Sequence, residues 1–445
     1  MDFVVRAAPV AQDRQGGVVS SALPGRSRLC ITMDEMSLRT IGLLTFAVAA
    51  VLLPASAQTK TWTDAEVMKI HRSALLIDTH NDVTSRTVDG FDFGPRAKDG
   101  HTDIARMKEG GQGGIFFAVF VSADNVEGNH SAHRTLQMID TVRHDIIERY
   151  PDDVAFAGSV AEILAARKHG KIAALMGIEG GHAIEDDVRL LRDYYALGIR
   201  YMTLTHTNNN TWATSSGDKP RPEGQPQGLT DLGRQVVHEM NRLGMLVDIS
   251  HVSDATFWDV LKSSEAPPFA SHSSCRAISN IPRNMTDEMI EALAKKGGVV
   301  QINFGCEFLS QKSADSSPMS NPATLAKLQA ELKDIKDPKE RHAAMEKMFE
   351  ELGAKTVRAT IDDVVANIDH VKQIAGVDAV GLGSDFDGVG CVPTGLDDVS
   401  KWPNLTRKLL EKGYSEAEIR KIYGGNLLRV MGAAEQTSTR LRAAK

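Results

Sequence analysis

The sequence has no basic cluster suited to a phosphate backbone: 51 Lys and Arg stand against 58 Asp and Glu, a net charge of −7. Nucleic acid is therefore not an expected partner, because affinity for it rests on neutralising phosphates. No fixed-period repeat runs through the chain, which argues against solenoids and propellers. The uncharged apolar run at residues 40–53 falls short of the roughly 20 residues that a membrane span needs. Cysteine is scarce, and only Cys275, Cys306 and Cys391 follow residue 57. An odd number in an oxidising compartment leaves at least one thiol unpaired.

What is present reads in order from the N-terminus. Arg39, the apolar run and Pro54-Ala55-Ser56-Ala57 have the order of a positive n-region, an h-region and an Ala-x-Ala cleavage site. The expected division is a leader and cleavable signal over residues 1–57 and a single folded unit over 58–445, exported to the periplasm of a Gram-negative cell or secreted. The signal begins deep in the chain, so Met33 or Met36 is a candidate start. No cysteine follows the cleavage site to carry a lipid, and the polar segment 435–445 lacks the tail of a lipid-anchor signal. No stable membrane anchor is expected after cleavage.

From Asp64 onward strand and helix patterns alternate, which predicts an α/β domain with a parallel sheet. Eight strands are expected, centred in 75–79, 114–121, 172–178, 201–205, 246–249, 268–271, 298–304 and 379–383. Eight strand-helix units suit a (β/α)₈ barrel of the TIM type, whose chemistry gathers where its strands end. Ser159-x-x-Glu162 and Ser415-x-x-Glu418 read as capping boxes. Between the seventh and eighth strands, residues 311–355 read as an inserted helical hairpin broken at Asp337-Pro338, either a lid or partner-facing element or a solvated decoration. Cys275 and Cys306 fall on neighbouring loops, where a disulfide between them competes with two free buried thiols.

The strand ends carry the chemistry. Leu75-Leu76-Ile77-Asp78-Thr79-His80-Asn81-Asp82 ends in His-x-Asp, and residues i and i+2 of an extended strand share a face. Later strands run out at Glu179, His206, His251, His272 and Asp385. Imidazole with carboxylate is the ligand set of zinc and similar divalent ions. The reading takes His80, Asp82, Glu179, His251 and His272 as ligands of two ions, with Glu179 as the bridge between them. Asp385 then accepts a proton from metal-activated water and returns it to a leaving group. His206 is left over; it polarises the substrate carbonyl, or else is a hydrogen-bonded core histidine. His182 reads as a supporting residue rather than a ligand, and His101 as an ordinary surface or packing residue.

The segments Ile77-Asp78-Thr79-His80-Asn81-Asp82, Gly177-Ile178-Glu179-Gly180-Gly181, Leu204-Thr205-His206, Asp248-Ile249-Ser250-His251-Val252-Ser253, Ser271-His272-Ser273-Ser274 and Gly383-Ser384-Asp385-Phe386-Asp387-Gly388 resemble, in order, those of the membrane (renal) dipeptidase family. The resemblance runs from about Leu75 to Gly432. It implies a binuclear zinc barrel that hydrolyses dipeptides, some with a C-terminal D-residue, and a homodimer. It also implies that Arg283, in Ile281-Pro282-Arg283-Asn284, holds the substrate carboxylate through paired hydrogen bonds. Where mammalian members place a tyrosine after Asn-Phe, this chain has Gly305. The rival readings are another binuclear hydrolase on the same barrel, acting on an N-acyl amino acid or lactone, and an exported metal-binding protein without turnover. Barrels of the former kind commonly carry His-x-His on the first strand and a carboxylated lysine, neither of which is found at these positions.

Overall fold

The computed structural model describes residues 60–444, so the leader and signal expected at 1–57 lie outside the described residues. Nine strands form one parallel sheet: β1 (Leu76–Asn81), β2 (Gln112–Phe120), β3 (Val154–Phe156), β4 (Ile172–Glu179), β5 (Ile199–Thr203), β6 (Leu246–Asp248), β7 (Phe269–Ala270), β8 (Val299–Ile302) and β9 (Val380–Leu382). Eight of them run β1-β2-β4-β5-β6-β7-β8-β9 around the nearly closed TIM-type barrel that the alternation predicts. β3 is the strand that sequence reading misses. It pairs with the start of β4, Val154↔Ile172 to Phe156↔Ala174, before β5 takes up pairing with Met176–Glu179. Three residues ending in an exposed Phe156 are too few to show a period of two.

The strands are apolar because both of their faces are covered. Every residue of β4 is buried, as is every residue of β1. One side packs against the helices. On the other, Ile77, Phe116, Leu175, Tyr201, Leu246, Phe269 and Val299, one from each of seven barrel strands, join a single cluster. Leu427, Val430 and Met431 of the helix Asn426–Ala443 belong to it too. That helix is held against the base by Asn426 Nδ2, which donates to Val380 O at 2.8 Å.

β1 and β9 do not form a ladder, and the seam between them is stitched by side chains. The Asp78 carboxylate accepts from Ser384 N at 2.7 Å and Ser384 Oγ at 2.6 Å, and Thr79 Oγ1 is 3.0 Å from Leu382 O and 2.6 Å from Ser271 O. At the rim, backbone bonds appear: Asp385 N to His80 O at 3.0 Å and Asp82 N to Phe386 O at 2.9 Å. Burial pushes the Asp78 carboxyl up to about 6 in spite of these donors.

The insert is helical, with Pro322–Lys333 and Pro338–Gly353 as its main helices. They part at Asp337-Pro338 as expected, where Asp337 caps the second helix by accepting from Glu340 N at 3.0 Å and proline suits the first helical position. Ser415 and Glu418 form the reciprocal capping box. Glu162 reaches past Ser159 to the amide of Gly158 at 2.7 Å, so that end satisfies a different donor.

Cys275 and Cys306 are neither joined to each other nor both free. Cys306 is bonded to Cys391, and Cys306 N also donates to Cys391 O at 3.0 Å. The loop after β9 is as much a neighbour of the β8 loop as the β7 loop is, and strand order alone does not choose between them. Cys275 is a free thiol buried beside the helix Ile361–Ala375, where its backbone amide donates to Asn367 Oδ1 at 3.0 Å, and burial pushes the thiol up to about 12. Among the described residues no helix is long and apolar enough to cross a membrane.

Candidate metal centre

The strand-end residues converge. Glu179, the last residue of β4, stands in the middle and its two oxygens face different ways. Oε2 lies 3.5 Å from His80 Nε2, which is itself 3.3 Å from Asp82 Oδ2. Oε1 lies 2.9 Å from His251 Nε2 and 3.3 Å from His272 Nε2, and those two nitrogens are 3.0 Å apart. The protein therefore assembles two triads, His80/Asp82/Glu179 and Glu179/His251/His272, that share one carboxylate. His80 Nε2 and Asp82 Oδ2 are buried and have no hydrogen-bond partner in the protein. Two unpartnered donor atoms of this kind at 3.3 Å fit a divalent cation, and leaving them otherwise uncompensated is costly.

Neighbouring groups decide which ring nitrogen faces the centre. Ser271 Oγ donates its proton to Asp248 Oδ2 at 2.6 Å. Ser271 Oγ must then accept from His272 Nδ1–H at 2.7 Å, which leaves a bare lone pair on His272 Nε2. Tyr201 Oη, 2.7 Å from His80 Nδ1, anchors that ring from inside the barrel. A Cβ on Gly177 would fall 2.0 Å from the Tyr201 ring, so the strand must be bare there for the tyrosine to reach. His251 sits at φ 63°, a region that few non-glycine residues occupy. Its carbonyl accepts from Ser216 N at 2.9 Å, Ser216 Oγ at 3.1 Å, and Thr205 Oγ1 and Ser215 Oγ at 3.2 Å, a grip that holds the strained turn.

Asp385, at φ 62°, accepts from Asn303 Nδ2 at 2.7 Å and forms with His80 and His272 a third cluster at the same centre. Burial, reinforced by the charge of Asp82, pushes its carboxyl up to about 7. Gly388 makes this crowding feasible, since a Cβ there would come 2.2 Å from Asp82 Oδ2 and 2.7 Å from Asp385 Oδ1. Glu179 goes the other way: burial opposes its charge, but the imidazoles around it, His80 first, hold it well below the usual range.

His206 lies at the edge, with Nε2 3.9 Å from Glu179 Oε1 and its ring between those of His251 and Phe120. Burial keeps it neutral by lowering its pKa, and Thr207 Oγ1 lies 3.3 Å from its Nδ1. Arg283 is fixed by Ser273 Oγ at 2.8 Å and His272 O at 2.9 Å, while its buried Nε has no partner. Burial lowers its guanidinium to about 10, so it stays charged at neutral pH. His182 is outside both triads; its Nε2 donates to Val121 O at 2.9 Å, and burial lowers it to about 4. His101 packs on Phe386, and its backbone N–H donates to Asp387 Oδ1 at 2.8 Å.

Tyr201, Ser271, Ser273 and Asn303 are the site residues that sequence reading misses. Ser271 and Ser273 flank His272, and Asn303 falls in an expected strand, but hydroxyl and amide side chains at such places are too common to single out.

A carboxylate and histidine cluster of this kind at the C-terminal rim of such a barrel is suited to hold metal ions for hydrolytic chemistry. Residues 64–445 match the membrane dipeptidase family (peptidase family M19), and the chain belongs to it. It is similar to the probable dipeptidase PvdM from Pseudomonas aeruginosa, at 26% identity over 84% of this chain and 98% of that one, with a TM-score of 0.71. It is also similar to a metallo peptidase from Rhodobacter sphaeroides liganded with a phosphinate mimic of the dipeptide L-Ala-D-Ala, at 25% identity over 81% and 99% of the two chains, TM-score 0.66. A third solved relative, dipeptidase AC, a metallo peptidase, shows 26% identity over 81% and 98%, TM-score 0.65. The chain is thus a metal-dependent dipeptidase by class.

Proposed function

We propose that the protein is a binuclear zinc dipeptidase that accepts dipeptides with either an L- or a D-residue at the C-terminus. The observation that carries this reading is the division of Glu179 between two triads, Oε2 toward His80 and Asp82, Oε1 toward His251 and His272. One zinc would be held by His80, Asp82 and Glu179, the other by Glu179, His251 and His272. When bound, the ions supply a water acidic enough to act as nucleophile near neutral pH.

The remaining steps belong to the chain's own groups. Asp385, whose carboxyl is raised to about 7, is matched to taking a proton from the attacking water and delivering it to the leaving amine. Neutral His206 presents Nε2–H to the oxygen of the scissile carbonyl as charge develops there. Arg283, pinned by Ser273 and His272, grips the terminal carboxylate. A clamp that fixes the carboxylate and the carbonyl leaves the last side chain unconstrained, which is why either configuration fits. The ligand of the Rhodobacter relative, a mimic of L-Ala-D-Ala, supports that reading.

Metal analysis of active protein should give two zinc equivalents per chain, with activity lost on chelation; fully active protein with one equivalent or none would overturn the binuclear site. Dipeptides should be cleaved, and tripeptides and dipeptide amides poorly. Amides cleaved as fast as free acids would instead favour an N-acyl amino acid or lactone hydrolase. Arg283→Ala should lower kcat/KM for the free acid by about 2–3 kcal/mol and narrow the gap between acid and amide. We propose further that residues 1–57 are a leader removed on export and that the mature chain is a homodimer. N-terminal sequencing of exported protein and light scattering test these two points.

A further inference from the structure

The loops that follow β2, β4 and β5 enclose a cavity of about 470 Å³ on the same rim of the barrel as the metal centre. It contains none of the residues of the two triads, yet it adjoins them along the chain: His182 follows Glu179 by three positions and Asn208 follows His206 by two, and both line it. The groups left over in its wall are acceptors. His182 is 5% exposed and gives its Nε2 proton to Val121 O, so in the neutral ring Nδ1 is a bare lone pair, and it has no partner in the protein. Asn208 Nδ2 donates to Asn209 O at 3.2 Å, and its buried Oδ1 is left without a donor.

Two carboxylates line the same cavity. Glu185 accepts from Ala132 N at 3.0 Å through Oε1, and Asp186 from Thr211 Oγ1 at 2.6 Å through Oδ1. Each thus keeps a second oxygen, and among the described residues neither is paired with a cation. Arg221, the cation of the lining, spends its terminal nitrogens on the carbonyls of Pro226, Asn210 and Ala213, at 2.9, 2.7 and 3.2 Å. Two carboxylates against one committed guanidinium leave a net charge of −1, and buried acceptors without donors are costly to keep unless a ligand supplies the protons.

Arg283, Ser273 and His272 follow β7, whereas the cavity belongs to the β2, β4 and β5 sector of the rim. A dipeptide whose carboxylate is held at Arg283 and whose carbonyl is held at the centre directs its first residue toward that sector. We propose that this cavity is the specificity pocket for the side chain of the substrate's N-terminal residue, and that it selects a long cationic one, a guanidinium or an ammonium on an aliphatic stem. The inference rests on the dipeptidase reading of the metal centre. His182 and Asn208 would accept from the head group while Glu185 and Asp186 balance its charge.

The test compares Arg-Ala, Lys-Ala, Met-Ala, Glu-Ala and Ala-Ala on the metal-loaded enzyme. Methionine matches the length and apolar stem of lysine without the charge, so the wild-type comparison needs no variant. We expect kcat/KM for Arg-Ala and Lys-Ala to exceed that for Met-Ala by about tenfold or more, with Glu-Ala the poorest. The double variant Glu185→Gln with Asp186→Asn keeps the acceptors for Ala132 N and Thr211 Oγ1. It should bring the Lys-to-Met ratio to within about twofold while Ala-Ala turnover, the control for folding and chemistry, is unchanged. Ala-Ala cleaved normally with no preference for a cationic first residue would overturn the pocket assignment and leave the dipeptidase reading intact. Were no dipeptide cleaved, that reading would fail instead, and calorimetric binding of Lys-Ala and Met-Ala would still decide the pocket: tenfold tighter Lys-Ala supports it, and equal affinities overturn it.

Discussion

Between β2 and β4 the backbones stay in register from Gly114↔Ala173 to Phe120↔Glu179, whereas β1 and β9 are joined mainly through Asp78, Thr79 and Ser384 until the rim is reached. The two joints serve the site differently. A continuous ladder delivers Glu179 as the last residue of a rigid strand, so its position follows from the sheet. Across the stitched seam the chain leaves the sheet early, and Asp385 and Asp387 take up positive φ that no ladder would tolerate. That freedom puts Asp385, His80 and Asp82 together at one point. Its cost is that their placement depends on a few side-chain hydrogen bonds in place of many backbone ones.

The contrast can be broken most sharply at Asp385. Asp385→Asn keeps the size of the group and should leave metal content and melting temperature close to wild type while kcat falls by a factor of roughly 10² or more. A fall in stability without that loss of turnover would make the residue part of the seam and nothing else. Next comes Asp78→Ala, which strands Ser384 N in a buried place and leaves Ser384 Oγ and Asn81 Nδ2 with one acceptor fewer each. A loss of about 3 kcal/mol in denaturant unfolding is expected, together with reduced kcat, because Asp385 and His80 both hang on this joint. Ile115→Val in the ladder is the matching control. It should cost about 1 kcal/mol and leave kcat and KM alone, since the neighbouring backbones hold their register without that methyl group.

The smallest effect lies far from both joints. Against partial burial, Arg242 and Arg192 hold the Glu239 carboxylate at about 2 through bonds of 2.6 to 2.7 Å. A depressed acid adds stability that is complete above its ordinary pKa of about 4.5 and is lost as pH falls toward 2. Melting temperature measured across that window should fall less steeply in Glu239→Gln than in wild type, with turnover at neutral pH unchanged. An identical slope would show that the pair is too exposed to matter.

The barrel and the residues that meet at its rim were legible in sequence because both obey a period. Apolar runs ended in His or an acid at strand after strand, and His80, Asp82, Glu179, His251, His272 and Asp385 do come together. What escaped has no period. β3 is too short to alternate. Tyr201 reads as one more apolar residue of a strand, and its hydroxyl gains meaning only when the interior brings it under His80. The pairing of Cys306 depends on which of two neighbouring loops approaches it, which strand order leaves undecided. The cavity beside His182 draws on three loops, and its character comes from which atoms remain unsatisfied, a property no residue has by itself.

The Cys306–Cys391 bond spans 85 positions of sequence and encloses the whole helical hairpin between its ends. In polymer terms that stretch is a ring rather than a branch of an open chain, and the link removes roughly 4–5 kcal/mol of unfolded-chain entropy on the loop-closure estimate. Both ends of the ring are anchored near the hydrogen-bonded pair Asn303 and Asp385, Cys306 three positions past the first and Cys391 six past the second. Shortening, lengthening or exchanging the hairpin therefore alters the circumference of a closed loop whose attachment points stay put. The segment is a natural place to graft a tag, a reporter or a foreign binding module without moving Asn303 or Asp385.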